Sequence, residues 1–100
     1  MIIDNILRKY QDKYIQHGSD FLFRPLDALD FLEDVAAENI DVLGIDLWRP
    51  VIIDGKEHFV EDAPIFLTET DNPIQVARSF LANHVPSNIA FVSFVLDESG

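Results

Sequence analysis

The chain has 100 residues, 48% of them hydrophobic, and its 7 Lys and Arg against 18 Asp and Glu leave a net charge of −11. That length holds one domain with one core, the hydrophobic fraction excludes a disordered chain, and the charge argues against nucleic acid or an anionic membrane as partner. Cysteine is absent, which removes disulfides, thiol nucleophiles and zinc–thiolate sites; no apolar run reaches the roughly 18–20 residues of a membrane span, and a cytoplasmic protein without cofactor is expected.

Ile3, Ile6, Leu7, Tyr10 and Tyr14 form one stripe of a 3.6 period, which predicts a helix over 2–16 with Gly18 as its stop. Phe21–Phe23 reads as a short extended piece. Pro25 suits the first turn of a second helix over 26–38, whose apolar stripe is Leu29, Leu32, Val35 and Ala36. The period then changes to two. Residues 41–48 are predicted as a strand, with Leu43, Ile45 and Leu47 on one face and Val42, Asp46 and Trp48 on the other. Pro50 punctuates, and Val51–Ile53 enters an Asp54–Gly55 turn that returns as Lys56–Glu61. Ile65–Thr68 is a further short strand. Asn72 as N-cap and Pro73 as first helical residue open a third helix over 73–84. Residues 89–96 leave neither face polar, as in a central strand covered on both sides. The expected architecture is a single α+β domain: a mixed or antiparallel sheet of four to five strands with three helices packed on it.

The acids are not spread evenly. From Asp27 to Asp46 there are seven and no base. Asp27, Asp30, Asp34 and Glu38 fall on the helix face opposite the apolar stripe, where like charges at i, i+4 repel mildly. Phe31 lies at the border of that face, and a partly exposed aromatic beside unpaired carboxylates has the character of an interface anchor in a steering field. The competing interpretation is a solubilising face with Phe31 tucked under the neighbouring chain. A second acidic block contains Asp54, Glu57, Glu61, Asp62, Glu69 and Asp71. It is expected on loops and strand edges, where charge either discourages aggregation or meets a basic partner. Asp46 and Trp48 share a strand face, so the carboxylate is a candidate acceptor for the indole N–H. The three histidines have no metal-pair spacing and no glycine-rich loop is present, so no metal site, phosphate cradle or catalytic group is expected. The partner-binding candidates are Asp27, Asp30, Phe31, Asp34, Glu38, Asp46, Trp48, Glu57, Glu61 and Asp62.

Two strings, Gly44-Ile-Asp-Leu-Trp-Arg49 and Phe91-Val-Ser-Phe-Val-Leu96, together with the small acidic α+β layout, resemble the immunity proteins of bacterial polymorphic toxin systems, including contact-dependent growth inhibition. The strings cover 12 of the 100 residues and carry over no residue roles. The resemblance implies a non-enzymatic inhibitor that covers a cognate toxin domain, commonly a nuclease. The alternative expectation is a general interaction or structural module, an adaptor or homo-oligomer with no toxin partner.

Overall fold

The computed structural model describes residues 2–98. Nine elements follow in chain order: α1 (Ile2–Lys9), β1 (Tyr14–His17), β2 (Asp20–Phe23), α2 (Pro25–Ala37), β3 (Asp41–Ile53), β4 (Lys56–Glu61), β5 (Ile65–Phe66), α3 (Pro73–Asn83) and β6 (Phe91–Asp97). The strands make one antiparallel sheet in the order β1-β2-β6-β3-β4, with β5 also paired to β3. This is the expected α+β class, with one strand more than the sequence implied.

The first helix is shorter than predicted. It ends at Lys9, the chain turns through Tyr10–Lys13, and Tyr14–His17 pairs with Asp20–Phe23 as a hairpin. Gly18 adopts a φ of +62°, but as the first residue of a two-residue hairpin loop rather than as a helix stop. The stripe misled because Tyr10 and Tyr14 both face the core from either conformation. Tyr14 meets Phe21 and Phe23, with ring centres 5.0 and 5.7 Å away.

The other boundaries follow local chemistry. α2 closes in a paired turn: Ile40 N–H donates to Val35 O and Asn39 N–H to Ala36 O, while Asn39 takes a left-handed φ of +57°. At α3 the Asn72 side chain accepts from Gln75 N–H, with Pro73 in the first turn. Asp54 and Gly55 both take positive φ, +52° and +76°, which is the backbone that an Asp-Gly hairpin loop requires. Pro50 does not break β3. The strand runs through it because β6 ends opposite Trp48, where Ala90 N–H donates to Trp48 O. Alternation aims the missing Pro50 N–H at that same vacated edge, so no ladder bond is lost. Beyond Pro50, β3 and β4 continue as a two-stranded arm in a molecule 43 × 27 × 20 Å in extent.

All three helices contribute to one core, with Ile6 and Leu7 from α1, Phe31, Leu32 and Val35 from α2, and Ala77 and Leu81 from α3. They meet Phe23, Val42, Ile45, Leu47 and Val92 of the sheet. Val42 is on this face, not with Asp46 and Trp48 as strict alternation predicts. A bulge at Leu43 shifts the register between Val42 and Gly44, and one extra residue inverts the facing of everything before it. β6 is central, between β2 and β3, yet no described helix covers its second face. The sequence expectation of cover on both sides is corrected accordingly.

Candidate functional site

The acidic face of α2 is not unpaired. Asp34 accepts from Tyr10 Oη at 2.6 Å and from Lys9 Nζ at 3.0 Å. Lys13 Nζ lies 3.8 Å from Asp27, and Arg78 holds Glu33 through two bonds of 2.7 Å. The bases that the α2 segment lacks arrive from the N-terminal turn and from α3, which is information no local window contains. Asp30 and Glu38 are exposed. Phe31 is not at a border: it is 2% exposed, stacked on Phe23 at 4.6 Å and on Phe94 at 5.8 Å, and edge-on to Tyr10 at 5.5 Å. The interface role expected of Phe31 is withdrawn, because an aromatic enclosed by three others has no surface to offer.

Asp34 has a structural role that pH can test. The Tyr10 hydroxyl, and then Lys9, hold its carboxyl below the usual carboxylate range, while the Tyr10 hydroxyl itself is pushed up, first by burial and then by Asp34. A depressed carboxylate contributes stability above its unfolded value, and that contribution is lost as pH falls through the folded value. Asp34→Asn is therefore expected to cost about 1–2 kcal/mol at neutral pH, discounted for partial exposure, and progressively less in acid. Urea melts of both proteins at pH 7 and pH 3 measure this; an equal deficit at both would remove the ion from the account.

The second face of the sheet is different. Register places Leu22 of β2, Ser93 of β6, Trp48 and Asp46 of β3 and Glu61 of β4 on it together. Trp48 is buried, and its Nε1–H donates to Ser93 Oγ at 3.0 Å. The acceptor expected from sequence, Asp46, is not the one used. The His17 and Trp48 rings are 5.1 Å apart across two intervening strands, so the sheet curls toward this side. Leu22 and Ser93 are buried on it, 0% and 1% exposed, beneath no described helix. Around this floor the surface is open and apolar: Ile15 is 47% exposed, Val95 44% and Phe66 79%.

Three carboxylates share that face. Glu61 is directly opposite Trp48, and Asp46 is diagonal to Glu61 by register, a separation of about 7–8 Å between such positions. Asp20 reaches the same field from the β1–β2 hairpin. Asp46 is pushed up from the ordinary carboxylate value, first by burial and then by Glu61 and Asp20. None of the three makes an ion pair among the described residues. A raised carboxyl opposes folding when ionised, and the penalty disappears as pH falls through its folded value. Asp46→Asn is thus expected to raise the melting temperature at pH 7 and to leave it unchanged once the wild-type carboxyl is protonated. A melting temperature lowered at pH 7 would show instead that ionised Asp46 has a favourable contact.

The remaining candidates lie on the arm and its base. Glu57 is exposed on β4, opposite Ile52, and Asp62 lies 4.0 Å from Arg49 Nε while its Oδ1 accepts from Ala63 N–H. Sequence reasoning missed Asp20 and His17 because most of β1 was assigned to the helix over 2–16, which left Phe21–Phe23 without a strand to pair with. The signal was present: Gly18-Ser19 between two alternating runs is a two-residue hairpin loop. Among the described residues no three His, Asp or Glu side chains group as metal ligands. A cleft between α1 and the sheet, lined by Ile3, Leu7, Phe21 and Phe94, holds about 60 Å³, and a broader, more open hollow lined by Gln75, Val76, Phe80 and His84 holds about 430 Å³. No described helix is long and apolar enough to cross a membrane. Comparison with protein-family models, with curated proteins and with solved structures finds no match.

Proposed function

We propose that this chain is a non-enzymatic acidic inhibitor that binds and neutralises a basic toxin, a nuclease being the leading target, inside the cell that makes both. The observation that carries this reading is the one-signed field. Four of the seven Lys and Arg (Lys9, Lys13, Arg49 and Arg78) are held against carboxylates, and the surplus of acids faces solvent. Such a field accelerates encounter with a positive surface and discourages negative ones. The resemblance of the Gly44–Arg49 and Phe91–Leu96 strings to immunity proteins supports the same class.

The decisive experiment uses the reading frame next to this gene. Expressed alone its product should arrest growth, and co-expression with this protein should relieve the arrest and yield a co-purifying complex. Association should slow steeply with added salt. A harmless neighbour, or a toxic one that this protein neither binds nor relieves, would overturn the proposal. The exposure of Phe66 and of Ile52, 79% and 68%, favours a second reading, a self-assembling structural module. Sedimentation velocity distinguishes them, because a stable oligomer of the isolated chain supports the second.

A further inference from the structure

We infer that the outer edge of β4 takes up an extended segment of the basic partner as an added antiparallel strand. Two cationic side chains of that segment lie opposite Glu57 and Glu61, with an apolar one between them opposite Phe59. This rests on the reading that the partner is basic, and specifies where and how it is held.

β4 ends the sheet, and no described strand pairs with its far side. The direction of its backbone groups follows from the ladder. Asp62 N–H donates to Leu47 O, and the register matches Val60 to Arg49, His58 to Val51 and Lys56 to Ile53. Alternation therefore turns the N–H and C=O of Lys56, His58 and Val60 toward β3, and those of Glu57, Phe59 and Glu61 outward. Such a row of open backbone groups is a ready template for another strand. The sheet's other free edges offer less. β1 is four residues long, and β3 beyond the end of β6 carries Pro50, which has no N–H to donate.

The side chains select the occupant. Glu57, Phe59 and Glu61 share the helix-free face, opposite Ile52, Pro50 and Trp48, and neither glutamate makes an ion pair among the described residues. Phe59 is half-buried and edge-on to Phe91 at 5.0 Å, which fixes its ring where an incoming apolar side chain would lie beside it. On its other face β4 presents Lys56, His58 and Val60, so cations belong only opposite the two glutamates. A second copy of the chain does not fit. Antiparallel pairing of β4 with itself about Phe59 sets Glu57 against Glu61 twice, and like charges directly opposite are destabilising. The edge repels its own kind and complements a base–apolar–base strand.

The probe is an acetylated, amidated heptapeptide, Thr-Lys-Thr-Val-Thr-Lys-Thr, titrated at low salt into the intact ¹⁵N-labelled protein. Amide exchange at Glu57, Phe59 and Glu61 should slow in the complex, while His58 and Val60, already bonded to β3, should change little. Two isomeric peptides separate strand pairing from charge attraction. Backbone N-methylation of both lysines, whose amides face β4, should weaken binding about tenfold or more, as expected for two lost hydrogen bonds. N-methylation of the two threonines beside valine, whose amides face away, should change it less than about twofold. In the protein, Glu57→Gln with Glu61→Gln should cost about five- to tenfold, and Asp30→Asn with Glu38→Gln less than about twofold. Equal binding of the two isomers, or equal losses from the two carboxylate sets, would overturn the assignment.

The neighbouring gene product distinguishes this inference from the reading beneath it. Glu57→Pro, at an exposed position with no ladder bond to lose, removes an outward donor while keeping the fold. A toxin that binds undiminished both to this variant and to the double glutamine variant sinks the β4 site and leaves the inhibitor reading standing. A harmless neighbour, with the peptide still bound along β4, sinks the inhibitor reading and leaves the site standing. Self-association that protects the Glu57, Phe59 and Glu61 amides in the free protein would overturn the site, since a second copy would then occupy it.

Discussion

Replacing Trp48 with alanine is expected to destabilise the free protein by roughly 3–5 kcal/mol, as for other fully buried aromatics. For a domain of this size that is a fall in melting temperature of roughly 15–30 °C. Two effects add. The indole, 4% exposed, fills the floor of the curled face between His17 and the β6 strand. Its removal also leaves the Ser93 hydroxyl, 1% exposed, without the donor that satisfies it, and an orphaned buried polar group costs about 1–3 kcal/mol. Trp48→Phe separates the two, because it keeps most of the ring and loses only the donor, and should cost about 1–3 kcal/mol. Thermal melts without partner decide the matter. A Trp48→Ala protein that melts within a few degrees of wild type would restore the residue to the role of an exposed anchor.

Phe31→Ala is expected to be as damaging, for a different reason. Phe31 is the shared member of an aromatic cluster, stacked with Phe23 and Phe94 and edge-on to Tyr10. Each well-placed ring pair contributes about 0.5–1.5 kcal/mol beyond area burial. Truncation leaves a void bounded by three rings and the bases of α1 and α2, which cannot collapse together without moving helices. A loss of roughly 3–5 kcal/mol follows. The cluster lies on the helix side of the sheet and Trp48 on the other, so the two losses should add to within about 0.5 kcal/mol. Urea titration of the milder Trp48→Phe and Phe31→Leu variants and their combination, which keep a folded baseline, checks this. The double alanine variant is expected to be largely unfolded in water, given total stabilities of about 5–15 kcal/mol for such domains. If Phe31→Ala left the urea midpoint unchanged, the side chain would be peripheral after all.

These two residues show where the sequence was legible. Elements whose limits are written in local chemistry were read within a residue or two. Pro25 opened α2, Asn72–Pro73 opened α3, Asp54–Gly55 joined β3 to β4, and the unbroken apolar run of β6 marked a central strand. In each case the determining interactions are a cap, a fixed φ or a turn, all within a few residues of one another. The acidic charge and the lack of cysteine were equally direct, and they bound the classes of partner whatever the fold.

What the tertiary structure alone decided has one physical cause: it depends on contacts distant in sequence. Tyr14 satisfied a helical period, yet pairing with Phe23 across the Gly18–Ser19 loop overrode it. Lys9, Lys13 and Arg78 neutralise an α2 face that looked unopposed, because the bases come from other elements. One bulge at Leu43 moved Val42 into the core, and no residue type announces a bulge. Phe31 was placed at a border by a helical wheel that could not know α1 and β6 would close over it. Trp48 found Ser93 rather than Asp46, since its partner is on the neighbouring strand and not along its own. That choice leaves Asp46 beside Glu61 and Asp20 on the helix-free face, and only the pairing of β3 with β4 and β6, and of β6 with β2, brings the three carboxylates together.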